Sequence, residues 1–196
     1  MTRNFSETFK ITNKTFEWKR KTYLISDIKS ISYNRIKTKH SINLAPTGES
    51  EEAEIIITNK NGKEIYIFVD EAGIYLHKNK KEELAEIYYL YEYLSEMTFD
   101  NRLKLYENEI DLCGVFKYQK WIFDPKNKSV IIKNKTYTQA EYKILKSDNF
   151  LVLEKRIKKT VDKLKTAWSG DPEIKTLKDS DVIFTLLKKY MGWKWS

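Results

Sequence analysis

Cysteine occurs once in these 196 residues, as Cys113, which excludes an internal disulfide framework. Without a nucleophile motif around it, that thiol is expected to be a semi-buried structural one. Histidine occurs twice, as His40 and His77, and neither has a metal-ligand spacing to another His or Cys. Glycine is scarce at six residues, and no Walker-type or dinucleotide glycine loop is present. The acidic pairs Glu51-Glu52 and Asp179/Asp181 are adjacent or two apart, a spacing that suits solvation or helix N-termini. No apolar run approaches the ~20 residues that span a bilayer, and the N-terminal MTRNFSETFK has no signal-peptide core. These absences point to a cytoplasmic protein that is not an enzyme, with no cofactor and no metal.

What is present is charge and aromatic surface. Charged residues make up 33% of the chain, and a hydrophobic fraction of 41% is enough for one large domain or two small ones. The net charge of +8 is unevenly spread. Residues 1–40 carry ten Lys/Arg against three Asp/Glu (+7), residues 41–100 five against thirteen (−8), and residues 117–165 fourteen against five (+9). Such blocks either steer an acidic partner, a nucleic acid or an anionic membrane, or simply solvate the surface.

The first half reads as a sheet followed by a helix. Phe9/Ile11, Phe16/Trp18 and Tyr23/Ile25 alternate with polar neighbours, the period of half-buried strands. Ile31, Tyr33 and Arg35 share one parity. The polar stretch from Lys37 to Ala53, with Pro46 and Gly48, is expected to be a long loop. Ile55–Ile57 and Ile65–Val69 are strands joined by Asn59-Lys60-Asn61-Gly62, the best hairpin signal in the chain. A helix is expected from Asn79 to Met97, with Asn79 and Glu82 forming a capping box. Its apolar face is Leu84, Ile87, Tyr88, Tyr91 and Leu94. Phe99-Asp100-Asn101 would end it.

Together, KTYLISDIKSISY (Lys21 to Tyr33), the long loop, IIITNKNGKEIYIFV (Ile55 to Val69) and the helix resemble bacterial pleckstrin-homology-like domains over roughly Phe9 to Met97. The resemblance implies an antiparallel sheet capped by a C-terminal helix, and in many bacterial members a protein-interaction module. In eukaryotic relatives, basic residues around the first hairpin bind phosphoinositides. The matching residues are Lys14, Lys19, Arg20 and Lys21, three of them consecutive where the family pattern alternates.

The second half is a smaller, basic α+β module, so the expected domains are 1–98 and 99–196. Leu103, Leu105 and Ile110 are read as a hairpin around Glu107-Asn108-Glu109. Phe116 to Phe123 and Val130–Ile132 are strand-like, with a turn at Asp124-Pro125-Lys126-Asn127. Asn13 to Tyr23 lines up with Asn127 to Tyr137, either as a short internal repeat or by chance among abundant lysines. Thr138-Gln139-Ala140-Glu141 is also a capping box, which makes Lys133 to Leu145 resemble the strand-to-helix entry of winged-helix domains. Leu153, Ile157, Val161, Leu164 and Trp168 predict a basic amphipathic helix ended by Gly170 and Pro172. A last helix starts near Ser180 and stops at Gly192, with Trp193 and Trp195 folding onto the core or facing a partner.

The functional expectation is a non-catalytic adaptor or inhibitor that engages a macromolecule, foremost a protein, through a basic, aromatic-rich surface. The alternative is a nucleic-acid binder, or an antagonist of a nucleic-acid-handling complex, using the 117–165 block. An anionic membrane is a third candidate partner. The contact residues expected on either reading are Lys19, Arg20, Lys21, Lys133, Lys135, Lys155, Arg156, Lys158, Lys159 and Trp195. The Lys/Ile/Tyr-rich style suits an AT-rich bacterium or its phage, so a mobile-element antagonist fits.

Overall fold

The computed structural model describes residues 3–5, 9–18, 20–42, 45–70, 78–147, 150–156, 173–175 and 178–193. The architecture is α+β, built from antiparallel sheets, and divides into two compact units, Met1–Arg102 and Leu103–Ser196.

In the first unit, β1 (Arg3–Phe5), β2 (Phe9–Ile11), β3 (Thr15–Trp18) and β4 (Lys21–Leu24) form a four-stranded meander. A single 3-10 turn, Ile25–Asp27, leads into a three-stranded meander of β5 (Ile28–Ile42), β6 (Ala45–Asn59) and β7 (Glu64–Asp70). The helix α1 (Lys78–Cys113) follows. The core is a cluster of alternate strand residues, among them Ile11, Phe16, Ile31, Ile55, Ile57 and Ile67, joined by Leu84, Ile87, Leu90 and Leu94 of α1. Period-two burial on the strands and spacings of three and four on the helix are what one buried face demands of each.

The expected loop between Lys37 and Ala53 is instead the far half of a long hairpin. Its register sets Lys37 opposite Glu51 and continues to Ile42 opposite Ala45, with an irregularity between His40 and Ser41. The pattern carries few apolar residues because this half extends past the core, and cross-strand charge pairing takes the place of burial. The Asn59 hairpin forms as expected: the Asn59 side-chain oxygen accepts from the backbone N–H of Asn61 and Lys63, and Gly62 takes φ +78°.

Two corrections concern α1. Its inward face uses Leu90 rather than Tyr88, which is 42% exposed. It also does not end near Phe99, and the residues read as a hairpin, Leu103 to Ile110, are helical. Between Asp100 and Gly114 no glycine or proline interrupts residues that are mostly good helix formers, so the helix propagates until Gly114, at φ +71°, supplies a left-handed stop. Near the unit boundary Arg102 is fully buried and donates to the Thr98 hydroxyl (2.9 Å) and to the Ser95 carbonyl (2.8 Å) on its own helix.

The second unit repeats the plan of the first. Strands β8 (Phe116–Tyr118), β9 (Trp121–Asp124), β10 (Ser129–Ile132) and β11 (Lys135–Thr138) form a four-stranded meander. Strands β12 (Tyr142–Ser147), β13 (Phe150–Lys155) and β14 (Glu173–Lys175) form a three-stranded one. A helix α2 (Ser180–Leu186) follows, continued by a π-helical turn over Leu187–Met191.

The correspondence extends to individual residues. Thr15↔Leu24 through Trp18↔Lys21 in the first unit has the register of Ser129↔Thr138 through Ile132↔Lys135 in the second. Both aligned corners are closed by the same backbone bonds: Ile25 N–H to Lys14 O (2.9 Å) matches Gln139 N–H to Lys128 O (3.1 Å). Likewise Lys60 N–H to Asp27 O (2.9 Å) matches Arg156 N–H to Glu141 O (2.6 Å).

Three further expectations meet the second unit. The segment after Thr138 is the strand β12 and not a helix, because Tyr142, Ile144 and the residues around them pair in period two with β13. Leu153 and Lys155 likewise belong to β13, so the expected amphipathic helix does not begin there, and its remainder, residues 157–172, lies outside the described residues. The last helix buries Val182, Ile183, Leu186, Leu187 and Met191. Gly192 caps it at φ +63°, and Trp193 is buried with its N–H on the Leu187 carbonyl (3.3 Å).

Candidate functional site

Two surfaces combine charge with concavity, one in each unit. In the first unit a cleft of about 460 Å³ is lined by Arg35 and Lys37 of β5, Glu51 of β6, and Leu84, Ala85, Tyr88 and Tyr89 of α1. It lies where the long hairpin extends past the apolar core, so that charged residues of the inward parity face the side of the helix.

Arg35 is ion-paired with Glu51, and Lys37 sits 3.8 Å from the same carboxylate. The Glu51 hydrogen bond holds the Arg35 guanidinium above its already high ordinary value, so this end of the cleft carries a permanent positive charge. Tyr33 stacks on Tyr91 with ring centroids 5.2 Å apart and meets Tyr88 edge-on at 5.4 Å. Burial pushes the Tyr33 hydroxyl above its usual range, and a hydrogen bond from Glu92 does the same for Tyr88. Both phenols stay neutral at physiological pH. Tyr89, 57% exposed, presents an open aromatic face.

In the second unit a shallower depression of about 530 Å³ is lined by Asn127, Lys128, Thr138, Gln139, Ala140 and Arg156. Lys128 follows the β9–β10 turn, where the Asp124 carboxylate accepts from the Asn127 backbone (3.0 Å) and side chain (2.7 Å). The Arg156 Nε–H is shared by the Gln139 carbonyl (3.1 Å) and the Tyr142 carbonyl (3.2 Å). The Gln139 amide donates to the Gly192 carbonyl (3.1 Å).

The residues expected from sequence are scattered over these two units. Arg20 and Lys21 are exposed at the tip of the β3–β4 hairpin, and Lys133 and Lys135 are exposed at the matching tip of β10–β11. Lys135 lies over the Tyr137 ring at 5.2 Å, a cation–π contact. Lys155 is exposed at the end of β13, and Arg156 follows it. Of the expected residues only Arg156 lines a concavity. The tips bearing Lys133 and Lys135 are at the opposite end of their hairpin from Lys128. Lys19, Lys158, Lys159 and Trp195 lie outside the described residues.

Sequence reading missed Arg35, Lys37, Glu51, Tyr88 and Tyr89 as a group, and Lys128 with Gln139. The signal for the first group was the matched polarity of the two sides of the supposed loop, basic before Pro46 and acidic after it. Cys113 is exposed at the end of α1, contrary to the semi-buried thiol expected. Among the described residues no three His, Cys, Asp or Glu side chains are grouped to hold a metal, and no helix is long and apolar enough to cross a membrane.

No protein-family model, curated protein or solved structure matches this chain.

Proposed function

We propose that this chain is a non-catalytic binding protein, an adaptor or inhibitor that captures a protein partner in the cleft between the long hairpin and α1. The observation that carries this reading is the cleft itself. Exposed tyrosines from one helix face a fixed cation on a rigid two-stranded ribbon, the mixture of aromatic and arginine side chains that dominates binding energy at protein interfaces. Rigid aromatics lose little entropy on binding, and the Arg35–Glu51 pair is already oriented before a partner arrives.

The pleckstrin-homology-like resemblance belongs to the same proposal. A four-stranded meander, a three-stranded meander and a helix, in that order, support it for both units. The test is affinity capture by the full chain beside its Tyr89→Ala and Lys37→Glu variants. A protein retained by the parent chain and lost by both variants supports the reading. Recovery of nucleic acid alone overturns it.

A second reading, nucleic-acid binding, is supported by one specific observation: the depression in the second unit is lined by Lys128 and Arg156 and by no carboxylate. Affinity that falls steeply with salt in an anisotropy titration would support it, and no binding at low salt would remove it.

A further inference from the structure

The two units offer an internal comparison. Their backbones close the same corner with the same hydrogen bonds, yet the side chains there differ. In the first unit the corner residue Lys60 is paired with its neighbour Asp27, Nζ to Oδ1 at 3.8 Å. The cation is matched by an acid.

In the second unit the residue in the place of Lys60 is Arg156, and the residue in the place of Asp27 is Glu141. Here the match is broken. The Glu141 carboxylate accepts from the Thr138 hydroxyl (3.4 Å) and does not line the depression. Arg156 turns its Nε–H onto two backbone carbonyls, Gln139 and Tyr142. Those bonds fix the guanidinium plane and leave the four terminal N–H groups without an acceptor among the described residues. A guanidinium held in this way is prepared for an oxyanion, because its fork fits two oxygens of one phosphate. Lys128 adds a second cation, and Asn127, Thr138 and Gln139 add neutral hydrogen-bonding groups on the same rim.

We propose that the corner formed by Asn127, Lys128, Gln139 and Arg156 is a phosphate-contact site for single-stranded nucleic acid, present in the second unit and neutralised in the first. This deepens the second reading above and rests on it. A polymer backbone suits the corner better than a small ligand. The depression is wide and open, whereas small-molecule sites enclose most of their ligand. It also belongs to the segment with a formal charge of +9, where Tyr137 and Tyr142 form an edge-to-face pair at 5.0 Å beside it. Phosphate neutralisation next to exposed aromatic rims is how single strands are held without sequence readout.

The test is fluorescence anisotropy of the full chain with a labelled oligothymidylate, over a range of salt concentrations. The variants are Lys128→Gln with Arg156→Gln, Arg156→Lys alone, and Lys60→Gln as the matched control, each checked for folding by circular dichroism. The double variant is expected to bind about tenfold more weakly and to flatten the log–log salt dependence by about 1 to 2. Arg156→Lys should recover only part of the loss, since a lysine cannot bridge two oxygens. Lys60→Gln should bind as the parent does.

Unchanged binding by a folded double variant overturns the corner while leaving the nucleic-acid reading intact, whereas no binding by the parent chain overturns both. An equal loss in Lys60→Gln would assign the effect to general surface charge and overturn the site. Corner-dependent sedimentation with phosphatidylserine vesicles, with no oligothymidylate binding, would assign it to lipid headgroups instead and also overturn it.

Discussion

Trp193 gives the sharpest stability test of the second unit. Its side chain is 1% exposed, and its indole N–H is buried with no hydrogen-bond acceptor. A tryptophan of this kind removes about 150–250 Å² from water, which at about 25 cal/mol per Å² sets an upper bound of about 4–6 kcal/mol. Trp193→Ala is therefore expected to cost about 3–5 kcal/mol. Trp193→Phe should behave differently. It keeps an aromatic ring in the site and removes the stranded N–H, whose desolvation opposes folding by about 1–3 kcal/mol. The net cost of the phenylalanine should stay below about 1.5 kcal/mol. Urea unfolding followed by far-ultraviolet circular dichroism measures both, with the caution that two compact units can melt in separate transitions. The shift belongs in the transition that carries the second unit. If the alanine variant unfolds within about 1 kcal/mol of the parent, Trp193 is not part of a packed core. If phenylalanine is as damaging as alanine, the indole N–H has an acceptor in solution and the reasoning fails.

Four smaller outcomes follow from the same geometry. Gly192→Ala, at φ +63° with open space around the new methyl, should lose about 1–2 kcal/mol from backbone strain alone, read as a lower urea midpoint. Arg20 holds φ +63° at the hairpin position that Asn134 fills in the second unit, so Arg20→Asn should gain about 0.5–1 kcal/mol. Hydrogen bonding from Lys189 at 2.6 Å, aided by Tyr190, holds the Glu107 carboxyl below its usual value. That stabilisation is complete above the unfolded-chain value and is lost as pH falls through the lower folded value. Glu107→Gln should thus flatten the acid limb of a stability–pH profile, and an unchanged limb would refute the pairing. Tyr89→Ala should weaken the proposed protein partner more than tenfold by titration calorimetry while moving the melting temperature little, since the ring is over half exposed.

Elements with one apolar face were readable from sequence, and elements without one were not. Ile55–Ile57, Ile65–Val69 and the Ser180 helix announce themselves because burial imposes their period. The outer part of the long hairpin carries no such period: Arg35 and Lys37 are balanced by Glu51, a relation between residues sixteen and fourteen positions apart that no local window contains. Leu103 to Ile110 looked like a hairpin because Asn101 and Asn108 resemble turn residues, yet helix propagation tolerates both. The site was legible only in its charge. Arg156 was singled out as part of a basic helix, whereas its place is set by β13 and by carbonyls of the β11–β12 connection. The alignment of Asn13 to Tyr23 with Asn127 to Tyr137 was visible, and the paired registers give it structural content.

The boundary between the two units falls inside α1, after Arg102, and this bears on how the first repeat is isolated. A fragment cut at that boundary would end in mid-helix, leaving four main-chain carbonyls bare to solvent and Arg102 at a fraying terminus. Extending the fragment to Gly114, whose N–H closes on the Ile110 carbonyl at 2.7 Å, lets it stop where the helix stops itself. The shortest well-behaved version of the first repeat is thus longer than its own compact body, because it borrows a dozen residues from the next.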